Sequence, residues 1–262
     1  MTVASLPTHS RRLSMPSWLS ASLSTALENA RRGGRLSDER ARAVRAIVES
    51  VGHVDYVRDA EAFAYLYFAA NFAKAQQAIL RLYRPSLSRP IRVLDLGCGA
   101  GPALFAASDT LRSGSEPGTN LHLAGVDVVT QQLELLNNLA APLLSEHGHK
   151  VRVETILSDA VTFLEQTKGS WDLIVVSYLL VELAPRKRRV LQAALEARAR
   201  AGTQVIVIDR GEAGTGTRYS RLQGTPQAFQ YPPEGLDVHF LESIGLRTLP
   251  KSTKRDRFHV PA

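Results

Sequence analysis

The chain has 262 residues, of which 44% are hydrophobic and 22% are charged, a composition typical of a globular protein with a sizeable core. It contains no apolar run of the roughly 18–20 residues needed to span a membrane and no secretory signal pattern, so we expect a cytoplasmic protein without a membrane partner. The single cysteine, Cys98, excludes an intramolecular disulfide or a cysteine-based metal cluster, and the net charge of +7 permits a polyanionic partner such as RNA.

The N-terminal third is predicted to be helical. Residues 1–20 lack periodicity and are predicted to form a flexible arm, followed by a helical region over 21–89. Within that region Ser37 is a suitable N-cap for one helix. A long apolar helix over 59–83 is expected to end at the linker 84–90, which contains two prolines.

From residue 90 onward, strand-like and helix-like segments alternate. Apolar strands separated by helices indicate a mostly parallel sheet covered on both faces. The predicted strands cover 91–96, 121–126, 151–157, 172–177 and 204–209, and the predicted helices cover 102–112, 130–145, 160–167 and 185–200. After a helix near 234–244, segments 246–252 and 256–262 are predicted to pair as a closing antiparallel hairpin.

Glycine and polar residues follow the first four predicted strands, at the edge where open parallel sheets bind ligands. The first strand runs into "DLGCGAG" (95–101), a turn whose backbone N–H groups can approach either a phosphate or a carboxylate. Asp127 ends the second strand, where a carboxylate can meet ribose hydroxyls. Asp159 follows the third strand, where it can accept a hydrogen bond from an adenine amino group, and the fourth leads to residues 177–178. Either aspartate alone is also compatible with capping a loop.

These segments resemble the motifs of class I S-adenosylmethionine-dependent methyltransferases. In that family the backbone of a turn like "DLGCGAG" lies close to the methionine half of the cofactor, "GVD" holds its ribose and "SDA" contacts adenine. The resemblance covers residues 90–262 and implies an α/β fold, with a Rossmann-like seven-stranded, mostly parallel sheet and a closing antiparallel hairpin after the helical region. Asp95 would position the turn or meet the cofactor's amino group, and Cys98 would be a small filling residue. The implied binding residues for S-adenosylmethionine are Asp95, Gly97, Cys98, Gly99, Asp127, Val128, Asp159, Ala160 and Ser177.

The acceptor side is less defined by the sequence. The turn after the fourth strand reads "SYLLVEL", without the prolines typical of methyltransferases that act on amino groups of bases or glutamine. Tyr178 can stack on a substrate ring. Glu182 can orient or deprotonate an acceptor, or it can be a carboxylate favoured by the first turn of a helix. Asn71 shares a helical spacing with Lys74 and faces either the acceptor or solvent. We name Tyr178, Glu182 and Asn71 as candidate catalytic residues, and the scattered histidines predict no metal site.

The chain also resembles, more weakly, a ribosomal small-subunit methyltransferase family related to mitochondrial ribosome assembly proteins. The resemblance lies in the long helix, the glycine turn, "WDLIVVSYLLVELAPRKRR" and "VIVIDRGEAGTGTRYSRL". The matching positions in the last segment are Ile208, Asp209, Gly211, Gly216 and Arg221. The cysteine cluster that many members carry is missing.

We therefore predict transfer of a methyl group to a nitrogen or oxygen acceptor. The leading acceptor is ribosomal RNA, including methylation of the antibiotic-resistance type, because "PRKRR" (185–189) and "KSTKRDR" (251–257) are basic. A small-molecule methyltransferase of secondary metabolism stays open and would be favoured by an apolar pocket roofed by Tyr65, Phe68 and Phe72. A non-catalytic RNA-binding assembly protein of the same fold also stays open. A nicotinamide-dependent oxidoreductase is disfavoured because the glycine spacing is G-x-G-x-G.

Overall fold

Three helices precede the sheet. The computed structural model describes residues 15–50, 52–83, 90–114, 120–148, 150–210, 227–229 and 256–259. Helix α1 spans Ser17–Arg32, α2 spans Asp38–Glu49 and α3 spans Ala60–Leu82. The backbone N–H of Arg40 donates to the Ser37 hydroxyl at 3.1 Å, which confirms the predicted N-cap of α2.

Helix α1 begins earlier than the sequence predicted. It starts at Ser17, inside the segment 1–20 expected to be a flexible arm, while residues 1–14 lie outside the described residues. The reason is an apolar stripe at helical spacing that begins within the supposed arm. Its members are buried against the core: Leu19, Leu23, Leu27 and Ala30.

Five parallel strands and their connecting helices form the rest of the described chain up to residue 210. The strands are β1 (Ile91–Leu96), β2 (Leu121–Asp127), β3 (Val151–Leu157), β4 (Leu173–Ser177) and β5 (Gln204–Arg210). The helices are α4 (Pro102–Gly114), α5 (Thr130–His147), α6 (Ala160–Gln166), α7 (Leu179–Glu182) and α8 (Pro185–Arg200). The predicted parallel α/β architecture is thereby confirmed.

Two short strands extend the sheet beyond β5. Strand β7 (Asp256–His259) runs antiparallel to β5, and β6 (Gln227–Phe229) pairs antiparallel with β7. The strand order is therefore β3-β2-β1-β4-β5-β7-β6. We expected residues 246–252 to pair with the last strand. That segment and the helix predicted near 234–244 lie outside the described residues, and the observed partner of β7 is β6.

Strand β1 is central, and its alternating side chains face two different helix layers. Val93 packs with α1, α3, α4 and α5, while Leu94 and Leu96 pack with α6 and α8 on the other face. Alternation along a strand places Asp95 on the same face as Val93, toward the N-terminal helices. Because Leu96 is in register with Val126 of β2 and Val176 of β4, the carboxyl ends of these three strands lie side by side.

Candidate functional site

The turn after β1 requires glycine at three positions. Gly97, Gly99 and Gly101 have positive φ angles of 69°, 53° and 84°, which side-chain-bearing residues rarely adopt. A Cβ at Gly97 would lie 2.9 Å from the Leu179 side chain, and one at Gly101 would lie 2.8 Å from Leu136 Cγ. Conformation and close packing together therefore explain the glycine spacing that the sequence singled out.

Asp127 ties the glycine turn to the end of β2. The Gly99 N–H donates to Asp127 Oδ2 at 2.8 Å, and the Val129 N–H donates to Oδ1 at 2.9 Å. Burial raises the pKa of this carboxyl, and the backbone hydrogen bonds oppose that rise. Since each carboxylate oxygen can accept more than one hydrogen bond, Asp127 retains capacity for a ligand's hydroxyl groups.

Asp95 is a buried carboxyl group whose Oδ1 has no hydrogen-bond partner among the described residues. Its side chain is only 1% exposed. Burial, reinforced by the negative charge of Asp127, raises the pKa of Asp95 to about 8. Buried polar atoms are rarely left without a partner, so this oxygen indicates a position for a donor that the described part of the chain does not supply.

These residues line a cavity of about 280 Å³ at the carboxyl ends of β1, β2 and β4. The Ser177 hydroxyl oxygen, at the end of β4, is a second buried polar atom on this wall without a partner among the described residues. The sequence-predicted site residues in the cavity wall are Asn71, Asp95, Gly97, Cys98, Gly99, Asp127, Val128, Ser177, Tyr178 and Glu182.

Asp159 and Ala160 do not line the cavity. The Asp159 carboxylate caps α6 by accepting from the backbone N–H groups of Val161 and Thr162, at 3.0 and 3.2 Å. Its other oxygen accepts from Lys187 Nζ at 3.0 Å. Burial raises the pKa of Asp159, but the Lys187 contact and the capping hydrogen bonds outweigh burial, so the pKa is lower than usual. The capping role that the sequence left open is therefore observed, and the contact of Asp159 with adenine stays a prediction.

Tyr178 is strained at the start of the β4–α8 connection, which we define as residues 178–184. Its φ of 59° is the one positive φ of a non-glycine residue in the described part of the chain. The Tyr178 N–H donates to Ile208 O at 2.8 Å, and Lys74 Nζ of α3 donates to the phenol oxygen at 2.6 Å. The same ammonium lies 5.0 Å from the centre of the Tyr178 ring. Strain of this kind persists only where surrounding contacts hold it, and it is frequent at functional sites.

Part of the cavity wall near Glu182 is formed by residues that the sequence analysis missed. The Tyr56 hydroxyl donates to Glu182 Oε1 at 3.3 Å, and His53 Nδ1 lies 3.7 Å from Oε2. The ring of Tyr56 meets the edge of Phe63 at a centroid distance of 5.0 Å. Phe63 lies four residues before Tyr67, so extending the stripe of Tyr67, Asn71 and Lys74 backwards would have found it. The loop residues His53 and Tyr56 have no such periodic signal.

Of the three aromatic residues whose presence in a pocket would favour a small-molecule acceptor, one lines the cavity. Phe68 lines the cavity together with Phe63 and Tyr56, whereas Tyr65 and Phe72 do not. Phe72 is 1% exposed within the core, and Tyr65 has the Arg31 guanidinium 5.2 Å from its ring centre. Spacings of three and four residues place Tyr65 and Phe72 on the same general side of α3 as Phe68, so helical periodicity alone does not distinguish them from a cavity residue.

Cys98 is fully buried, and burial together with the nearby aspartates raises the pKa of its thiol well above the usual value. A neutral thiol is a poor nucleophile, which agrees with the predicted filling role. A Cβ on Gly125 would lie 2.8 Å from Cys98 Sγ, so the sulfur occupies the space beside that glycine. Among the described residues, no cluster of His, Cys, Asp or Glu could hold a metal ion, and no helix is long and apolar enough to span a membrane.

Comparisons with known proteins give one family match. The family model described as "Mitochondrial small ribosomal subunit Rsm22" matches residues 57–235, whereas no curated protein sequence matches the chain.

Several solved structures are similar at low identity. Magnesium protoporphyrin IX methyltransferase from Synechocystis PCC 6803 is 13% identical over 85% of this chain and 97% of that chain, with a TM-score of 0.47. An rRNA methylase from Streptococcus thermophilus is 12% identical over 72% and 94%, with a TM-score of 0.43. TrmN from Thermus thermophilus is 16% identical over 76% and 51%, with a TM-score of 0.46. Similarities at this level assign neither substrate nor cofactor to this chain.

Proposed function

The chain belongs to the Rsm22 family, and we propose that it is an S-adenosylmethionine-dependent methyltransferase acting on the small ribosomal subunit. We further infer that residues 90–262 form a class I methyltransferase domain, with a seven-stranded sheet completed by the antiparallel strands β7 and β6. The observation that carries the proposal is the cavity at the glycine turn, whose wall includes Asp95 and Ser177, each with a buried polar atom that has no partner among the described residues.

The residues at this cavity fit S-adenosylmethionine. The buried Asp95 oxygen lacks a donor, which the amino group of the methionine half would provide. Gly97 and Gly99 leave the backbone open to that half, and Asp127 would accept from the ribose hydroxyls. Val128 is 64% exposed, an unusual state for an apolar side chain, and would cover the adenine ring. When bound, the cofactor supplies an electrophilic methyl group to the acceptor.

Three other wall residues are proposed to handle the acceptor. Glu182 would accept a hydrogen bond from the acceptor's N–H or O–H group, and Tyr56 orients its carboxylate by donating to Oε1. Tyr178 would offer its ring as a stacking surface, and Asn71 on α3 would fix the acceptor's orientation. Holding the acceptor and the methyl donor close together in the reactive orientation accounts for a large share of the rate acceleration in such transfers, so a strong general base is not required.

Ribosomal RNA is the acceptor we favour. The family description names the small ribosomal subunit, and the net charge of the chain is +7. Within the basic segment 185–189, Arg186 and Arg189 are exposed, while segment 251–255 lies outside the described residues. A small-molecule acceptor is the second candidate, because Tyr56, Phe63 and Phe68 give the cavity an aromatic wall.

The test has two stages, with Asp127→Ala as the disabled variant and Asp38→Ala, whose side chain is 78% exposed, as the matched control. Calorimetry with S-adenosylhomocysteine should show binding by the wild-type protein and the control, and at least about hundredfold weaker binding by Asp127→Ala, which loses the loop contacts as well as the ribose contact. Absence of binding by the wild-type protein would overturn the proposal.

Methyl-labelled S-adenosylmethionine is then incubated with small ribosomal subunits, naked ribosomal RNA or a small-molecule extract of the source cells. Label entering RNA supports the favoured acceptor, and label entering only the extract supports the second candidate. Binding of the cofactor analogue without transfer to any of the three would support a non-catalytic assembly protein.

A further inference from the structure

The β4–α8 connection carries both Tyr178 and Glu182, yet few hydrogen bonds within the connection itself stabilise its conformation. Its helix α7 has four residues and begins at a tyrosine with a left-handed backbone. A helix this short cannot satisfy its terminal carbonyl groups internally, and a non-glycine residue with positive φ adds strain. The connection therefore depends on contacts from other elements.

Two cationic side chains supply those contacts from opposite directions. Lys74, on α3, donates to the Tyr178 hydroxyl at 2.6 Å. Arg188, on α8, donates through Nε to Leu180 O at 2.6 Å and through Nη2 to Leu183 O at 2.9 Å. Leu180 lies within the four-residue helix and Leu183 follows it directly, and the last four carbonyls of a helix have no partner inside it.

The Arg188 contacts also explain part of the basic segment 185–189. Arg188 is only partly exposed and is committed to the carbonyl groups of the connection. Lys187 is paired with Asp159. Two of the four charges in this segment therefore have partners within the protein itself.

We propose that Lys74 and Arg188 are positioning residues, which hold the β4–α8 connection in the single conformation that places Tyr178 and Glu182 on the cavity wall. Neither residue lines the cavity, so they act through the connection and not on a ligand. The consequence for methyl transfer rests on the proposed function, whereas the conformational effect does not.

Hydrogen exchange of the full-length protein tests the conformational effect directly. The variants Lys74→Met and Arg188→Met remove the donors but keep long side chains. In each, the amides of residues 178–184 should exchange at least about tenfold faster, since a charge-assisted hydrogen bond that limits local opening is lost. Exchange in the central strands should not change, and the affinity for S-adenosylhomocysteine should stay within about threefold of the wild-type value.

Matched controls separate this role from a general loss of charge. Lys168→Met and Arg200→Met alter exposed cations elsewhere and should leave exchange of the connection unchanged. Lys74→Arg and Arg188→Lys keep a cationic donor. Lys74→Arg should restore slow exchange, and Arg188→Lys should restore it in part, because a single ammonium group does not reproduce the two separate N–H donors of arginine. Tyr178→Phe removes only the hydroxyl that Lys74 contacts, and it replaces Lys74→Met if that variant does not fold.

Wild-type exchange rates for the connection in folded Lys74→Met and Arg188→Met would overturn the proposal. So would faster exchange spread evenly over the whole protein, because that result indicates a general stabilising role. If the wild-type protein also transfers methyl groups, both variants should lower kcat at least about tenfold while leaving cofactor affinity unchanged. If it transfers none, the exchange result still decides the positioning role, so the two proposals fail independently.

Discussion

Replacing Asp95 with asparagine should stabilise the ligand-free protein, and the gain should grow as the pH rises. The pKa of Asp95 is raised from 3.8 to about 8 by burial and by the charge of Asp127. Between these two values the folded protein holds a proton that the unfolded chain has released, so the wild-type protein loses stability as the pH rises through this window. Asparagine carries no such proton and avoids the loss.

The size of the effect follows from the same shift. Each pH unit within the window changes the free energy of unfolding by about 1.4 kcal/mol, which gives an upper limit of about 6 kcal/mol at pH 9. Water that enters the cavity lowers this figure by solvating the carboxylate. Even one third of the limit would shift the melting temperature by about 4–8 °C for a chain of this size.

Urea denaturation at pH 5, 7 and 9 measures the difference between Asp95→Asn and the wild-type protein. The difference should be smallest at pH 5 and should increase at each step, while Asp38→Asn, an exposed control, should give a constant value. A difference that stays the same from pH 5 to pH 9 would falsify the reasoning, because it would mean that the carboxyl titrates normally in the folded state.

The affinity for a cofactor analogue should depend on pH in the opposite direction: stability falls as Asp95 loses its proton, whereas binding strengthens. If Asp95 receives an ammonium group, the carboxylate form is the one that binds, so wild-type affinity for S-adenosylhomocysteine should rise by up to tenfold per unit between pH 6 and about 8. Calorimetry in buffers of different ionisation enthalpy should detect proton release at pH 7. Asp95→Asn should bind weakly at every pH and release no proton.

Three further outcomes are expected. Asp159→Ala should lose about 1 kcal/mol of stability through the α6 cap while keeping S-adenosylhomocysteine affinity within about threefold, because both carboxylate oxygens already have partners; a large loss of affinity in calorimetry would instead support the predicted contact with adenine. Gly101→Ala should cost about 2–4 kcal/mol in urea denaturation, because its φ is 84° and the new Cβ would lie 2.8 Å from Leu136 Cγ; a neutral result would contradict the packing described. The double substitution Arg186→Ala and Arg189→Ala should weaken binding to ribosomal RNA about tenfold at 0.1 M salt and lower the salt slope by about 1–2; unchanged filter binding would exclude this surface from the RNA contact.

The sheet and its helices could be predicted from the sequence because local patterns are strong there. Apolar strands followed by glycine or aspartate and then by an amphipathic helix give nearly unambiguous boundaries. The strand 91–96 and the helix 185–200 have the predicted bounds. The start of α1 and the partner of β7 were not predicted, since both depend on which distant surface a short segment covers, and that information is tertiary.

The candidate site divides in the same way. The part proposed to bind the cofactor lies at strand ends, and chain order alone identifies Asp95 and Asp127 there. His53 and Tyr56 reach the cavity only because α3 packs across the sheet and carries the preceding loop to Glu182. Asp159 also follows its strand as expected, but the structure shows it capping α6 and pairing with Lys187, contacts that chain order does not reveal.

The N-terminal helices form an integral part of the site and of the core, although the sequence placed them in a separate region ending at residue 89. Buried side chains of α1 and α3 pack in one hydrophobic cluster with Val93 of β1 and Leu123 of β2. A chain beginning at residue 90 would expose that face of the sheet to water. It would also lose Asn71 from the cavity wall and Lys74 from the β4–α8 connection. Because the same helix covers the sheet and supplies both residues, stability and site geometry are coupled, so a substitution in α3 has to be tested for folding before any effect on transfer is interpreted.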